Sequence, residues 1–361
     1  MTGNPINFAV GNKYQEERDY AGNQLGFSRA YNSLDGLWRH SYSVSLRLTP
    51  YAVALVQADG REVFFKVSGT SISAPAAELG KLEKTGTTWV YRSPDNEVLR
   101  FDDKGRLTRW EFPQGYQQLV YSAAGVSVTD YLGHNLSFTV RADGQPASLH
   151  VSDLHVAYGY NANNRLSQVT RTRGNQSETR QYHYEDTRDP KLLTGITDER
   201  GVRYATWTFD DKGRAVSSEH AGGAEHTQVA YNADGSSTVT NELGKATIYR
   251  FVSIGGIKRV SAIEGEPSAN CPNSNSTFTY DARGLLKTKT DNKGFVTTYD
   301  YNERGLEVAR TEAVGTPQAR TISTAWHPTL FLPVTVTEPR RITSYSYDAQ
   351  GRQLSQTQTD R

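Results

Sequence analysis

Short runs of alternating apolar and polar residues dominate this chain. In Phe295-Val-Thr-Thr-Tyr299-Asp-Tyr301, residues 295, 297, 299 and 301 fall on one side of an extended strand. Such runs last about seven residues and end at turn signals, so the chain reverses direction about every ten residues. Helical stripes of period 3.6 are scarce. The one helix candidate is Ala74 to Lys84, with Pro75 near its start and Gly80 interrupting it.

The turn signals repeat. Phe101-Asp-Asp-Lys-Gly105-Arg-Leu107 recurs as Phe209-Asp-Asp-Lys-Gly213-Arg, Tyr280-Asp-Ala-Arg-Gly284-Leu, Tyr301-Asn-Glu-Arg-Gly305-Leu and Tyr347-Asp-Ala-Gln-Gly351-Arg. Tyr231-Asn-Ala-Asp-Gly235 and Tyr160-Asn-Ala-Asn-Asn164-Arg-Leu166 are variants, and weaker copies begin at Tyr121, Val140, Tyr184, Phe251 and Trp326. Six of the seven clear copies carry Gly at the fifth position. Asp or Asn suits the first position of a type I turn, and Gly three residues later suits a left-handed conformation. Asn164 is the residue that best tolerates that conformation after Gly. We therefore expect hairpin turns at Asp102–Gly105, Asp210–Gly213, Asp281–Gly284, Asn302–Gly305 and Asp348–Gly351, with the aromatic before each turn packing across the hairpin. A second turn lies halfway along each unit, as in Asp291–Gly294, Asp198–Gly201 and Asn241–Gly244. Val56 to Gly60 and Tyr91 to Asn96 extend the pattern upstream.

The fold class this predicts is all-β: a continuous antiparallel meander from about residue 36 onward. So many strands in one sheet twist and coil into a superhelical wall, a partial shell. The expected domains are a pre-repeat segment over 1–35, degenerate first strands over 36–100 and the repeat array over 101–361. The segment from Gly265 to Ser276, which carries Cys271, reads as an exposed loop. The last strand, near Arg341 to Tyr347, is expected to leave an unpaired, self-associating edge.

Composition narrows the function. There are 40 basic and 39 acidic side chains, so a net charge of +1 gives no general attraction for nucleic acid. The 21 Tyr, 12 Phe and 5 Trp, spread along the chain, argue for a folded protein. No apolar run approaches a membrane span, and the first residues lack a signal-peptide pattern. A single cysteine, Cys271, excludes an intramolecular disulfide framework.

The Tyr-Asp-x-x-Gly-Arg-Leu units resemble the YD repeats of Rhs proteins, which also occur in teneurins and in the shells of insecticidal toxin complexes. The start, Asn4-Pro-Ile-Asn-Phe8-Ala-Val-Gly11-Asn-Lys-Tyr14-Gln-Glu-Glu-Arg-Asp-Tyr20 followed by Phe27-Ser-Arg-Ala-Tyr31-Asn-Ser33, is similar to the segment preceding the repeats in bacterial Rhs effectors. Thr324-Ala-Trp326-His-Pro-Thr-Leu-Phe-Leu-Pro333 resembles a repeat variant of that family. The resemblance implies a hollow β-cocoon of repeats that encloses and delivers a C-terminal toxin. The pre-repeat segment would lie at or near one end and help to close it. It also implies synthesis in a bacterial cytoplasm and delivery into target cells, commonly by type VI secretion in interbacterial competition. The expected partners are the toxin domain, the remainder of the shell and secretion-spike proteins. No segment resembles a spike-tip domain, and the Asp-Pro-x-Gly-Leu motif with its self-cleaving aspartates is absent from these residues. The expectation is a fragment of a longer effector or a shortened shell.

No catalytic constellation stands out, so no enzyme activity, cofactor or metal is expected. Neither a Gly-x-Ser-x-Gly elbow nor a phosphate-binding Gly-x-x-x-x-Gly-Lys loop is present. Cys271 reads as an ordinary thiol. His150 and His155, five apart, would point to opposite faces of one strand. His220 and His226 flank Ala-Gly-Gly-Ala, which reads as a turn that could bring them together, but a metal pair there is disfavoured. His183 reads as a strand residue. The turn carboxylates Asp102, Asp210, Asp281 and Asp348 suggest calcium, but turn capping and the following Lys or Arg residues favour a structural role. The tyrosine stripes suit shell packing better than stacking on sugars or single strands. Two other functions stay open: a carbohydrate or cell-surface binding scaffold, and a glycosidase using turn carboxylates held at a working separation.

Overall fold

The computed structural model describes residues 5–22, 24–265 and 275–361. Cys271 and most of its loop lie outside them. Within the described residues there are thirty-four strands and one short 3-10 turn, Ala221–Gly223. β1 (Ile6–Asn7), β2 (Asn12–Ala21), β3 (Gly26–Asn32) and β4 (Leu37–His40) form one sheet in chain order. β5 (Ser45–Leu48), β6 (Ala52–Val56), β7 (Glu62–Ser68) and β8 (Ser71–Ser73) form a second. The remaining twenty-six strands, from Lys81–Thr85 to Gln353–Asp360, pair each with the next in sequence. The all-β antiparallel meander read from the turn spacing is thus the observed topology, but its continuous sheet begins at Lys81 rather than near residue 36, because Leu37–His40 and the strands from Ser45 to Ser73 belong to the two smaller sheets. Two compact units emerge. One contains Met1–Val63, Phe101–Arg109 and Tyr116–Ala246; the other contains Phe64–Arg100, Trp110–Gly115 and Thr247–Arg361.

The repeat turns share one backbone pattern. Gly284 donates its N–H to the Asp281 carbonyl at 2.9 Å, and Asp281 donates to the Leu285 carbonyl at 2.9 Å. The Asp281 side-chain Oδ1 accepts from the Arg283 and Leu285 amides, both at 2.9 Å. Asp102, Asp210 and Asp348 do the same, and Asn302 accepts from Leu306. Gly105, Gly213, Gly284, Gly305 and Gly351 have φ between +70° and +85°, and Asn164 has +57°. A register shift just before the turn recurs at Tyr160, Phe209, Tyr280, Tyr301 and Tyr347, as a three-centred turn with a left-handed closing residue requires. The acids also hold arginines: Arg106 on Asp102, Arg214 on Asp210, Arg283 on Asp281 and Arg352 on Asp348.

Neighbouring repeats are tied by the aromatic residue. The hydroxyls of Tyr121, Tyr160, Tyr231, Tyr280 and Tyr347 donate back to the carbonyls of Leu107, Pro146, Ala215, Val260 and Pro333, at 2.6 to 2.9 Å. Arg106, Arg141 and Arg214 stack over Tyr121, Tyr160 and Tyr231 at 4.6, 4.3 and 4.1 Å from the ring centres. Each of these five tyrosines therefore fastens its own hairpin to the preceding one through a hydroxyl bond, and Tyr121, Tyr160 and Tyr231 add a cation–π contact.

One candidate element does not form, and two expectations are corrected. Residues 74–80 form no helix; the following strand starts at Lys81. A Cβ on Gly80 would lie 2.2 Å from the Tyr91 hydroxyl, and Glu78 instead accepts from the Gly80 amide at 2.7 Å and the Tyr91 hydroxyl at 2.9 Å. Arg341–Tyr347 is not an edge, since it pairs with Pro333–Thr337 on one side and Gln353–Asp360 on the other. His150 and His155 do not point to opposite faces. They sit on two strands, Pro146–Val151 and Leu154–Tyr160, directly across from each other.

Burial differs between the units. In the first, β1–β4 cover one face of the repeat strands and a dense apolar core forms between them, with Phe27, Tyr31, Trp38, Leu136, Leu149, Val169, Ile196 and Trp207 almost fully enclosed. In the second, the buried apolar residues are Phe65, Leu82, Trp89, Val90, Tyr91, Leu99 and Leu306 among the described residues. Its repeat strands from Val296 onward are mostly half-buried, and Gln353–Asp360 is exposed throughout.

Candidate functional site

The candidate functional surface is the layer contact inside the first unit. It begins with a strand whose polarity looks wrong for burial. In β2, Lys13, Gln15, Glu17 and Asp19 alternate, so all four side chains project to one side. That side is the buried one; Glu16 and Arg18, on the other, are exposed. Buried polar groups need partners, and here they come from the repeat strands.

Asp19 and Arg29 form an ion pair with both side chains fully enclosed. The Arg29 Nη2 donates to Asp19 Oδ1 at 3.0 Å and to the Tyr182 hydroxyl at 2.9 Å. The guanidinium also lies 4.8 Å from the Trp38 ring and 5.4 Å from the Tyr158 and Tyr182 rings. Tyr158 donates to Asp19 Oδ2 at 2.8 Å, and Arg171 donates to Asp19 Oδ1 at 2.7 Å. Arg171 reaches Glu199 at 3.1 Å, and Arg180 grips Glu199 through two bonds of 3.0 Å. Arg180 also donates to Glu17 Oε2 at 2.5 Å. Gln15 links Glu17 to Lys13 through two bonds of 2.9 Å, and the Lys13 ammonium sits 4.0 Å over the Trp207 ring. One network therefore joins the pre-repeat strand to strands Leu154–Tyr160, Leu166–Arg173, Gln176–His183 and Arg203–Phe209.

The electrostatics follow from burial. Burial alone would push the Asp19 carboxyl up; the charges of Arg29 and Arg171 and the hydrogen bonds from Arg29 and Tyr158 outweigh it and hold the group below its ordinary range. Burial pushes the Lys13 ammonium well below the usual lysine range, against the attraction of Glu17. The network holds the cationic side chains Lys13, Arg29, Arg171 and Arg180 and the carboxyl side chains Glu17, Asp19 and Glu199. Apolar and neutral contacts surround this network. Tyr31 donates to the Lys191 carbonyl at 2.7 Å and accepts from the Leu193 amide at 2.9 Å. The Trp38 indole donates to the Tyr184 hydroxyl at 2.9 Å. His40 stacks on Phe27 at 5.1 Å and meets Phe138 edge-on at 4.8 Å.

The arrangement is an adhesive between the two layers. Among the described residues no group of three His, Cys, Asp or Glu could hold a metal ion. The turn residues stay apart, one set per hairpin. His220 faces Glu225 at 3.3 Å and the Tyr204 carbonyl at 3.1 Å. His183 ends its strand and meets Thr197 at 2.7 Å. Hydrophobic periodicity passes over Lys13, Glu17, Asp19, Arg29, Arg171, Arg180 and Glu199, because a polar residue at every second position reads as a solvent face. The usable signal is that β2 is polar on both faces while β3 and β4 carry Phe27, Tyr31 and Trp38.

Two family descriptions match the chain: a domain of unknown function (DUF6531) over residues 3–65, and the RHS Repeat over residues 280–317. No curated protein matches it in sequence. Among solved structures it is similar to TcdB2-TccC3 with Cdc42, at 12% identity and TM-score 0.40, covering 94% of this chain and 22% of that one. TcdB2-TccC3 alone gives 12% and 0.39, covering 97% and 23%. A Photorhabdus luminescens Tc holotoxin pore gives 11% and 0.35, covering 98% and 20%. The chain thus spans about a fifth of the length of these structures. No helix among the described residues is long and apolar enough to cross a membrane.

Proposed function

We propose that this chain, an Rhs-type YD-repeat protein by its match to the RHS Repeat over residues 280–317, is a wall segment of a toxin shell, whose role is containment. The observation that carries this reading is the pairing of two designs in one chain. The repeats are self-fastening hairpins that extend a sheet without limit, and β1–β4 form a separate layer glued to one face of that sheet by buried ion pairs. In the second unit the repeat strands carry few buried apolar residues, as expected of a wall whose inner face awaits contents. On this reading β1–β4 close the shell near one end, and the contents are a toxin domain on the same native polypeptide. Synthesis in a bacterial cytoplasm and delivery by a secretion machine such as type VI follow from the same premise, as does the absence of catalysis by the wall itself.

The test is limited proteolysis of the product of the complete native reading frame. A C-terminal domain that survives protease while enclosed, and is digested once the shell is opened by denaturant, is the expected result. A C-terminal domain cut as fast within the intact product as when isolated would overturn containment.

A further inference from the structure

We infer that His150 and His155 form a two-histidine site for a first-row divalent transition ion, such as Zn²⁺ or Cu²⁺, on the face of the repeat sheet turned away from β1–β4. The two residues are directly paired across the hairpin of Pro146–Val151 and Leu154–Tyr160. Leu149, Val151, Leu154, Val156 and Tyr158 point to the buried side, and the two histidines point to the exposed side. Val151 and Leu154 close a two-residue turn, so the next pair, His150 with His155, is the closely spaced kind whose side chains meet.

The rings are already aimed at one another. Their Nδ1 atoms lie 2.6 Å apart, with ring centres at 4.5 Å and planes at 86°. Two neutral imidazoles can hold this geometry by one N–H···N bond. A tetrahedral ion with Zn–N bonds near 2.0–2.1 Å needs its two nitrogens about 3.3 Å apart. The rings would open by about 0.7 Å, which small χ rotations of exposed side chains supply. The residues flanking the pair along the cross-strand row are Ser137 and Thr172, which are uncharged and do not repel a cation. The nearby Arg173 is engaged with Asp153 at 3.1 Å. With no third His, Cys, Asp or Glu in reach among the described residues, water completes the coordination shell. Imidazole ligands favour copper over zinc by the usual order of divalent affinities. The bound ion would clip the two strands next to a turn whose Ser152 sits at a left-handed φ of +52°.

The test is calorimetric titration of the EDTA-stripped chain with ZnCl₂ and with CuCl₂, alongside His150→Ala and His155→Ala. Both side chains are exposed, so melting curves in EDTA should coincide for the three proteins. One ion per chain is expected in the wild type, with Cu²⁺ tighter than Zn²⁺. Either substitution should weaken binding at least about tenfold, a loss of about 1.4 kcal/mol. Imidazole NMR signals of His150 and His155 should shift first with Zn²⁺ and broaden first with substoichiometric Cu²⁺. Unchanged affinity in either variant, or earlier perturbation of the other histidines, would overturn the inference.

Discussion

Acid should loosen the docked pre-repeat layer through one buried imidazole. His40 ends β4 in a box of Phe27, Tyr42 and Phe138, and its Nδ1 accepts the Tyr42 amide at 3.3 Å. Burial lowers its pKa from 6.5 to about 3, so the folded state excludes the proton that the unfolded chain takes up. The folded pKa lies below the unfolded one, so the stabilisation is present above about pH 6.5 and is lost as the pH falls towards 3. At about 1.4 kcal/mol per pH unit, lowering the pH from 7 to 5 removes about 2 kcal/mol. Carboxylates contribute little in this window, because their unfolded values lie near 4. His183, which burial also lowers, acts in the same direction, but it remains in a His40 variant and cancels in the comparison. The assay is hydrogen exchange of the Gly26–Asn32 amides at pH 7 and 5, corrected for intrinsic rates, in wild type, His40→Phe and His40→Asn. The wild-type opening free energy should fall by about 2 kcal/mol more than that of either variant. An equal fall in all three proteins would refute the assignment.

Two further substitutions probe the glue and the turns. Arg29→Met leaves Asp19 and its network short of a buried cation and should destabilise the first unit by about 3–5 kcal/mol; adding Asp19→Asn should recover part of that in a double-mutant cycle followed by urea unfolding. Gly105 has φ +81° and a Cβ there would lie 2.1 Å from the Leu46 carbonyl oxygen, so Gly105→Ala should cost more than about 2 kcal/mol. Gly133→Ala, at φ +88° with open space around it, should cost only the backbone strain of about 1 kcal/mol, and equal melting-temperature losses would contradict this division.

The array was legible because its determinants are local. A turn of Asp-x-x-Gly type is specified within five residues, and its side-chain capping, left-handed glycine and register shift all follow from those residues alone. The failures are instructive in the same terms. Residues 74–84 carry helix-compatible side chains, yet Tyr91 and Glu78 claim the space and the amide at Gly80. On sequence alone His150 and His155 read as one strand, because a tight turn at Ser152 and Asp153 leaves no glycine signal. The tyrosines read as packing residues, but their hydroxyl bonds to the preceding hairpin depend on how neighbouring strands stack.

By itself, then, the order of residues determined an antiparallel meander and the places where it reverses, since those depend on contacts a few positions apart. Tertiary structure alone decided which polar residues are buried. Glu17 and Asp19 of β2 and Arg29 of β3 meet Arg171, Arg180, Tyr158 and Tyr182 across more than a hundred residues of chain, and Lys13 meets Trp207. A charged side chain carries no local mark of whether water or an opposite charge will solvate it. Only the packing of one layer on another supplies the partner, and with it the burial that sets the charge.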